Sequence, residues 1–209
     1  MVERSQKPRS LFRSFVLADL ITLGNASCGM AAIFLCLNHP LPADVSHFWI
    51  VFLLLPLALV FDILDGFVSR RITRRQSRYG ADLDSLADIV SFGVAPAVLG
   101  FTLGLRGLWD ALILIYFVIC GISRLARFNV TAAALTDETG KVEYYEGTPI
   151  PTSIVIVAFL AIAYWQGRID TRFLFGIFPI GPWAFHPFTL LYAISGTAMV
   201  SSTIRIPKP

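Results

Sequence analysis

Apolar residues fall along this chain in long, nearly unbroken runs, without the two-residue alternation of a half-buried strand. Six runs come near the roughly 20 residues that a helix needs to cross a bilayer. They are Leu17–Leu37, Phe48–Val68, Leu83–Leu105, Leu108–Ala126, Pro149–Trp165 and Phe185–Thr203. The pattern predicts an all-α, polytopic membrane bundle of six transmembrane helices in a single domain, residues 1–209. The first run precedes no convincing small-residue cleavage site and reads as a span, not a signal peptide. A further apolar stretch, Phe173–Trp183, is short and broken by Gly176, Pro179, Gly181 and Pro182. It reads as an interfacial loop. No internal repeat is visible.

Six spans put both termini on one side, and the basic residues test that arrangement. Of the 17 Lys and Arg residues, only Arg106, Arg168 and Arg172 fall on the other side. The remainder include Arg4 to Arg13 near the start, Arg70 to Arg78 between the second and third spans, Arg124 and Arg127. The asymmetry places both termini and the two long polar connections in the cytoplasm. Residues 1–16 form a cytoplasmic or interfacial N-terminal segment, where Ser10–Phe15 mixes Leu, Phe and Arg as a short interfacial helix does.

Composition agrees. Apolar residues make up 56% of the chain, or about 63% with the 15 glycines, against roughly 45–50% in soluble domains. Charged residues are 15%, against roughly 25%. An ordinary soluble enzyme, a disordered chain and a fibrous repeat are excluded. Cys28, Cys36 and Cys120 all sit within apolar runs and read as small buried hydrophobes. No zinc spacing, RNA-binding signature or long basic tract points to nucleic acid.

Against this background four carboxylates stand out, because ionisable groups within spans are expensive and usually functional. Asp62 and Asp65 lie near the end of the second span, and Asp84 and Asp88 near the start of the third. Offsets of three and four residues put each pair on one helical face. Consecutive antiparallel spans bring the two pairs together at the cytoplasmic end. Four facing carboxylates cannot all stay ionised without compensation. An all-oxygen set without Cys or His favours Mg²⁺, Mn²⁺ or Ca²⁺ over zinc, and a two-metal site suits in-line phosphate chemistry. The competing reading is helix-end solvation with salt bridges to Arg70–Arg78, which explains one acid better than four. Gly66 and Gly80 beside the acids allow close approach of a ligand or a second backbone. Arg70 can meet a phosphate bidentately. Thr22 and Asn25 on the first span read as formers of interhelical hydrogen bonds.

The run Asp62-Ile-Leu-Asp65-Gly66-Phe-Val-Ser69-Arg70, continuing to Gly80-Ala-Asp-Leu-Asp84-Ser-Leu-Ala-Asp88, resembles the signature of the CDP-alcohol phosphotransferase family, D-x2-D-G-x2-A-R-x8-G-x3-D-x3-D. Two positions depart from it. Ser69 replaces Ala, and nine residues separate Arg70 from Gly80. Three further stretches narrow the resemblance to the branch that uses serine: Ser85–Ala97, Arg124-Leu-Ala-Arg-Phe-Asn-Val130 and Tyr145-Glu-Gly-Thr-Pro-Ile-Pro151. The stretch Ala18–Asn25 and the ending Ile204–Pro209 are most similar to fungal-type members.

The resemblance implies a membrane enzyme, commonly a homodimer, with its active site facing the cytoplasm. The membrane is the endoplasmic reticulum in a eukaryote and the plasma membrane in a prokaryote. The implied reaction moves the phosphatidyl group of CDP-diacylglycerol to L-serine and releases CMP, with Mg²⁺ or Mn²⁺ as cofactor, two ions per site. By this match Asp62, Asp65, Asp84 and Asp88 are metal ligands, and Asp88 is also the general base. Asp65, Gly66, Ser69, Arg70, Arg74 and Gly80 fall where the CDP-diacylglycerol sits. Arg124 and Arg127, three apart on one helical face, can clamp the serine carboxylate, with Phe128 walling the pocket. The competing reading of these arginines is anchorage among lipid headgroups. No Cys or His is placed to form a covalent intermediate, which favours direct displacement. Two rivals remain at this point. One is the same chemistry with glycerol 3-phosphate or inositol. The other is a cation transporter, which calls for acids near the bilayer midplane and often a two-halved repeat.

Overall fold

The computed structural model describes residues 17–38, 46–72, 78–138, 144–169, 173, 175–201, 203 and 205–207. The expected interfacial segment 1–16 and the basic turn at 73–77, with Arg74, lie outside these residues. Seven helices dominate: α1 Leu17–Leu37, α2 Ser46–Ile72, α3 Arg78–Asp88, α4 Ala95–Leu103, α5 Leu108–Glu138, α6 Ile154–Trp165 and α7 Leu190–Val200. Short 3₁₀ turns, Ile150–Ser153 and Pro187–Thr189, lead into α6 and α7.

Among the described residues, four helical stretches are long and apolar enough to cross a bilayer: Asp19–Leu37, His47–Val68, Gly80–Leu103 and Leu108–Val130. The last two expected spans are shorter apolar helices, Ile150–Trp165 and Pro187–Val200. At 1.5 Å per residue they are about 24 and 21 Å long, short of the ~30 Å hydrocarbon core. Large apolar side chains such as Leu53, Ile115, Ile119 and Ile194 face outward, while Thr22, Asn25, Asp65, Asp88 and Ser91 are buried. That distribution suits a lipid solvent. Cys28, Cys36 and Cys120 are buried free thiols.

α1 packs along α2 and against α3, and α5 packs against α7. α3 and α4 form one rod joined by a π-helical segment, Ile89–Val94, in which the Ala95 N–H reaches back to Val90 O. Pro96 follows it and has no N–H to give to the preceding turn. A wider turn is thus accommodated just where the regular ladder must lapse. α1 crosses the π segment at close range. A Cβ added to Gly29 would stand 2.5 Å from Ser91 Oγ and 2.7 Å from Ser91 Cα, so the crossing admits only a hydrogen there.

The Phe173–Trp183 stretch is more ordered than the loop that its glycines and prolines predict. Its second half enters an antiparallel hairpin of β2 (Phe178–Ile180) and β3 (Trp183–Phe185). Gly181, at φ 66°, supplies the left-handed turn residue. The flanking Phe, Ile and Trp favour extended backbone. Trp109 ties the hairpin to α5 by donating Nε1–H to Ile180 O at 3.2 Å.

Behind this hairpin sits a polar knot that the sequence does not announce. Asp110, in the first turn of α5, is fully buried. Its Oδ2 accepts the Gly107 N–H at 3.0 Å and lies 2.6 Å from His186 Nδ1. Its Oδ1 accepts the His186 N–H at 3.0 Å and the Thr189 hydroxyl at 2.7 Å. The knot fastens the start of α5 to the entry of α7, at the opposite end of the bundle from Asp62 and Asp88. Near that other end, a short antiparallel pair joins β1 (Tyr144–Glu146) to β4 (Arg205–Pro207).

Candidate active site

The end of α2 and the start of α3 converge as their sequence spacing requires. Asp62, Asp84 and Asp88 each offer a carboxylate oxygen, and these three atoms lie within 4.8 Å of one another. Asp62 and Asp84 are half-buried, and Asp88 is buried. Asp65 and Asp84 sit near the ends of their spans, and Asp62 and Asp88 lie further in, about two turns from the ends.

This donor set fits one hard divalent cation. Metal–oxygen bonds of about 2.0–2.6 Å separate two oxygens on one ion by at most about 4–5 Å. Every donor is a carboxylate oxygen, as Mg²⁺ and Mn²⁺ prefer.

Asp65 stands apart from this triple. It is buried and turned toward α1, where the Thr22 hydroxyl donates to its Oδ2 at 2.9 Å. Its Oδ1 is buried with no hydrogen-bond partner among the described residues. α1 holds Asp88 in a similar way, with Asn25 Nδ2 donating to Asp88 Oδ1 at 3.1 Å. Asn25 is fully buried, its backbone carbonyl accepts the Ser91 hydroxyl at 2.9 Å, and its Oδ1 has no partner among the described residues. Thr22 and Asn25 are the interhelical hydrogen-bonding groups expected from their place in an apolar run. Ser91 escaped the sequence reading. The signal was a lone serine one turn after Asp88, able to meet a glycine on a neighbouring span.

Gly66 and Gly80 are half-buried next to the acidic turns. Ser69 and Arg70 belong to the last turn of α2, where the structure gives the helix without side-chain detail. Arg124 and Arg127 are half-buried on the later turns of α5, and the Arg124 guanidinium lies 5.9 Å from the centroid of the Phe128 ring. Asn129 donates Nδ2–H to Ser85 Oγ at 3.1 Å, which pins α5 to α3 one residue from Asp84. The later part of α5 therefore lies beside the acidic cluster.

Comparison with known proteins places this geometry in context. A protein from Saccharomyces cerevisiae named CDP-diacylglycerol–serine O-phosphatidyltransferase is 42% identical over 96% of this chain and 73% of its own length. An archaetidylserine synthase of Methanothermobacter thermautotrophicus is 34% identical over 77% of this chain and 64% of its own. A CDP-diacylglycerol–serine O-phosphatidyltransferase of Bacillus subtilis is 33% identical over 69% and 75%. No solved structure gives a significant match. Residues 15–194, which hold all of α1 to α6 and every acid of the cluster, match the CDP-alcohol phosphatidyltransferase family, and the chain belongs to it.

Proposed function

We propose that this chain is a CDP-diacylglycerol–serine O-phosphatidyltransferase, transferring the phosphatidyl group to the hydroxyl of L-serine and releasing CMP. The observation that carries the reading is the carboxylate triple, set in a sequence 42% identical to the yeast enzyme over 96% of this chain.

Asp62, Asp84 and Asp88 would hold a divalent cation, Mg²⁺ or Mn²⁺, with Asp65 turning its open oxygen to the same ion or to a second one. Bound there, such a cation supplies neutralising charge for the diphosphate and for the departing CMP. The protein's own groups do the rest. Asp88 accepts the proton of the serine hydroxyl as that oxygen bonds to the lipid-side phosphorus. The phosphorus–oxygen bond to CMP breaks, and CMP leaves with the electron pair. A carboxylate is a weak base for an alcohol, so proton transfer accompanies attack. Gly66 and Gly80 leave room for the nucleotide beside the acids, and the signature assigns Ser69, Arg70 and Arg74 to the same substrate. Arg124 and Arg127 take the serine carboxylate, and Phe128 closes that side.

The same reading makes residues 1–209 one membrane-embedded unit with six spans, the last two short, and cytoplasmic termini. The 14 of 17 Lys and Arg residues on the acidic side support that orientation and a cytoplasm-facing site. The reading adds a homodimer, and residence in the endoplasmic reticulum of a eukaryote or the plasma membrane of a prokaryote, on the family resemblance alone.

Purified protein given CDP-diacylglycerol, Mn²⁺ or Mg²⁺, and labelled serine, glycerol 3-phosphate or inositol tests the proposal. CMP release and labelled lipid are expected with serine and metal together. Transfer to glycerol 3-phosphate or inositol but not to serine would reassign the acceptor.

A further inference from the structure

We propose that Asn25 recognises the amino alcohol: its Nδ2–H holds Asp88, and its Oδ1 accepts a hydrogen bond from the ammonium of the incoming serine. The inference rests on the serine-transfer reading above and names a part of the acceptor pocket within it.

The amide is fully buried and its direction is fixed by its partner. A carboxylate oxygen can only accept, so the 3.1 Å contact with Asp88 Oδ1 requires the nitrogen of Asn25 to face it. Oδ1 is thereby turned elsewhere, and it has no partner among the described residues. A buried acceptor left unmade is costly, so this oxygen is best explained by a donor that arrives with the substrate. The backbone around it is held. Ser91 Oγ donates to Asn25 O at 2.9 Å, and Gly29, one turn further along α1, admits Ser91 at close contact.

The chemistry of serine matches this arrangement. Its hydroxyl and ammonium are on adjacent carbons, so the two groups lie about a hydrogen-bond length apart. The Asp88 carboxylate and Asn25 Oδ1 are likewise neighbours, linked through one amide group. A serine whose hydroxyl meets Asp88 carries its ammonium to Asn25 Oδ1. Polyols offer only a neutral hydroxyl there, whereas the ammonium makes the stronger, charge-assisted bond.

The test compares L-serine with 3-hydroxypropionate, which is serine without its amino group. The latter is read as a substrate or, where it is not turned over, as a competitive inhibitor. The wild-type protein should favour serine. In Asn25→Leu that preference should shrink by about tenfold or more, because the ammonium has lost its partner. KM for CDP-diacylglycerol should move less than about threefold. Asn25→Asp separates the two roles: it keeps an acceptor for the ammonium and sets an anion against Asp88. Its kcat should fall while its serine KM stays within about threefold of wild type. Ser27→Ala, exposed on the same helix, should leave the preference unchanged. Gel filtration and melting temperature report folding, and Asn25→Ser replaces Asn25→Leu, with the same expectation, if the latter does not fold. An unchanged preference in the folded Leu or Ser variant overturns the inference. So does a serine KM in Asn25→Asp that rises tenfold or more. If the folded Leu or Ser variant is silent toward both acceptors, the serine KM of Asn25→Asp decides. CMP release by wild type that does not depend on serine would instead overturn the serine-transfer reading itself.

Discussion

Thr22 gives its hydroxyl proton to Asp65 Oδ2 at 2.9 Å across the interface of α1 and α2. Three residues along the same helix, Asn25 gives an amide proton to Asp88. α1 therefore grips one acid of each pair, and Asp62 and Asp84 stay half-buried. Four acids that look interchangeable in sequence are not equivalent in the fold.

That inequality predicts different losses. Asp62→Asn and Asp84→Asn should raise the Mn²⁺ concentration for half-maximal turnover and nearly abolish activity, since each removes a hard ligand. Asp65→Asn should do the same and also lower the melting temperature, because Thr22 then faces a neutral amide. Asp88→Asn should still bind CDP-diacylglycerol in calorimetry while single-turnover CMP release falls about 10²–10⁴-fold. Wild-type metal dependence in the Asp62, Asp65 and Asp84 variants would refute the ligand assignment.

Arg127→Ala should raise the KM for serine more than that for CDP-diacylglycerol, with Arg124→Ala similar but weaker. Losing a charge-assisted hydrogen bond costs about 1.5–3 kcal/mol, roughly ten- to a hundredfold in KM. Initial rates with each substrate varied in turn give the split. A change confined to the lipid substrate would assign these arginines to phosphate.

Gly29→Ala should push α1 away from the π segment, because the new methyl would meet both Oγ and Cα of Ser91. Overpacking of this kind costs about 1–3 kcal/mol. The expected readings are a lower melting temperature in detergent and a reduced kcat, since Ser91 braces Asn25. A melting temperature equal to wild type would show that the crossing is looser than the structure has it.

Asp110→Ala offers the opposite case, a large structural loss far from the chemistry. It strands the buried His186 and Thr189 donors and breaks the ties between α5 and α7. Leaving a buried donor unsatisfied costs about 1–3 kcal/mol for each one stranded. Thermal unfolding should shift accordingly, while kcat and KM of the surviving folded fraction stay near wild type. A change in serine KM would connect this knot to the active site.

How much of this was legible in the sequence follows from the range of each interaction. Helices over four of the six apolar runs could be read as spans because their length and hydropathy are local properties. The acidic pairs were legible because offsets of three and four residues fix a shared face. The partners of Asp65 and Asp88 are 43 and 63 residues away, and Asp110 meets His186 across 76, so no spacing rule reaches them. The Phe178–Phe185 hairpin was hidden by its own glycine and prolines, which mark a turn without saying whether its arms pair. The π segment is silent for a further reason: Ile, Val, Ser, Phe and Gly are as compatible with an ordinary helix.

The π segment has one more consequence. A π turn stores one residue more than an α turn, and one residue is worth about 100° of rotation about the helix axis. The rod from Arg78 to Leu103 thus has two angular settings: the carboxylates before Ile89 follow one, and the packing face after Val94 follows the other. Excision of a single residue between them would rejoin the two settings and swing Asp84 and Asp88 away from Asp62 while leaving the far half seated. The extra residue works as a vernier, letting the acidic end be aimed independently of the end that anchors it.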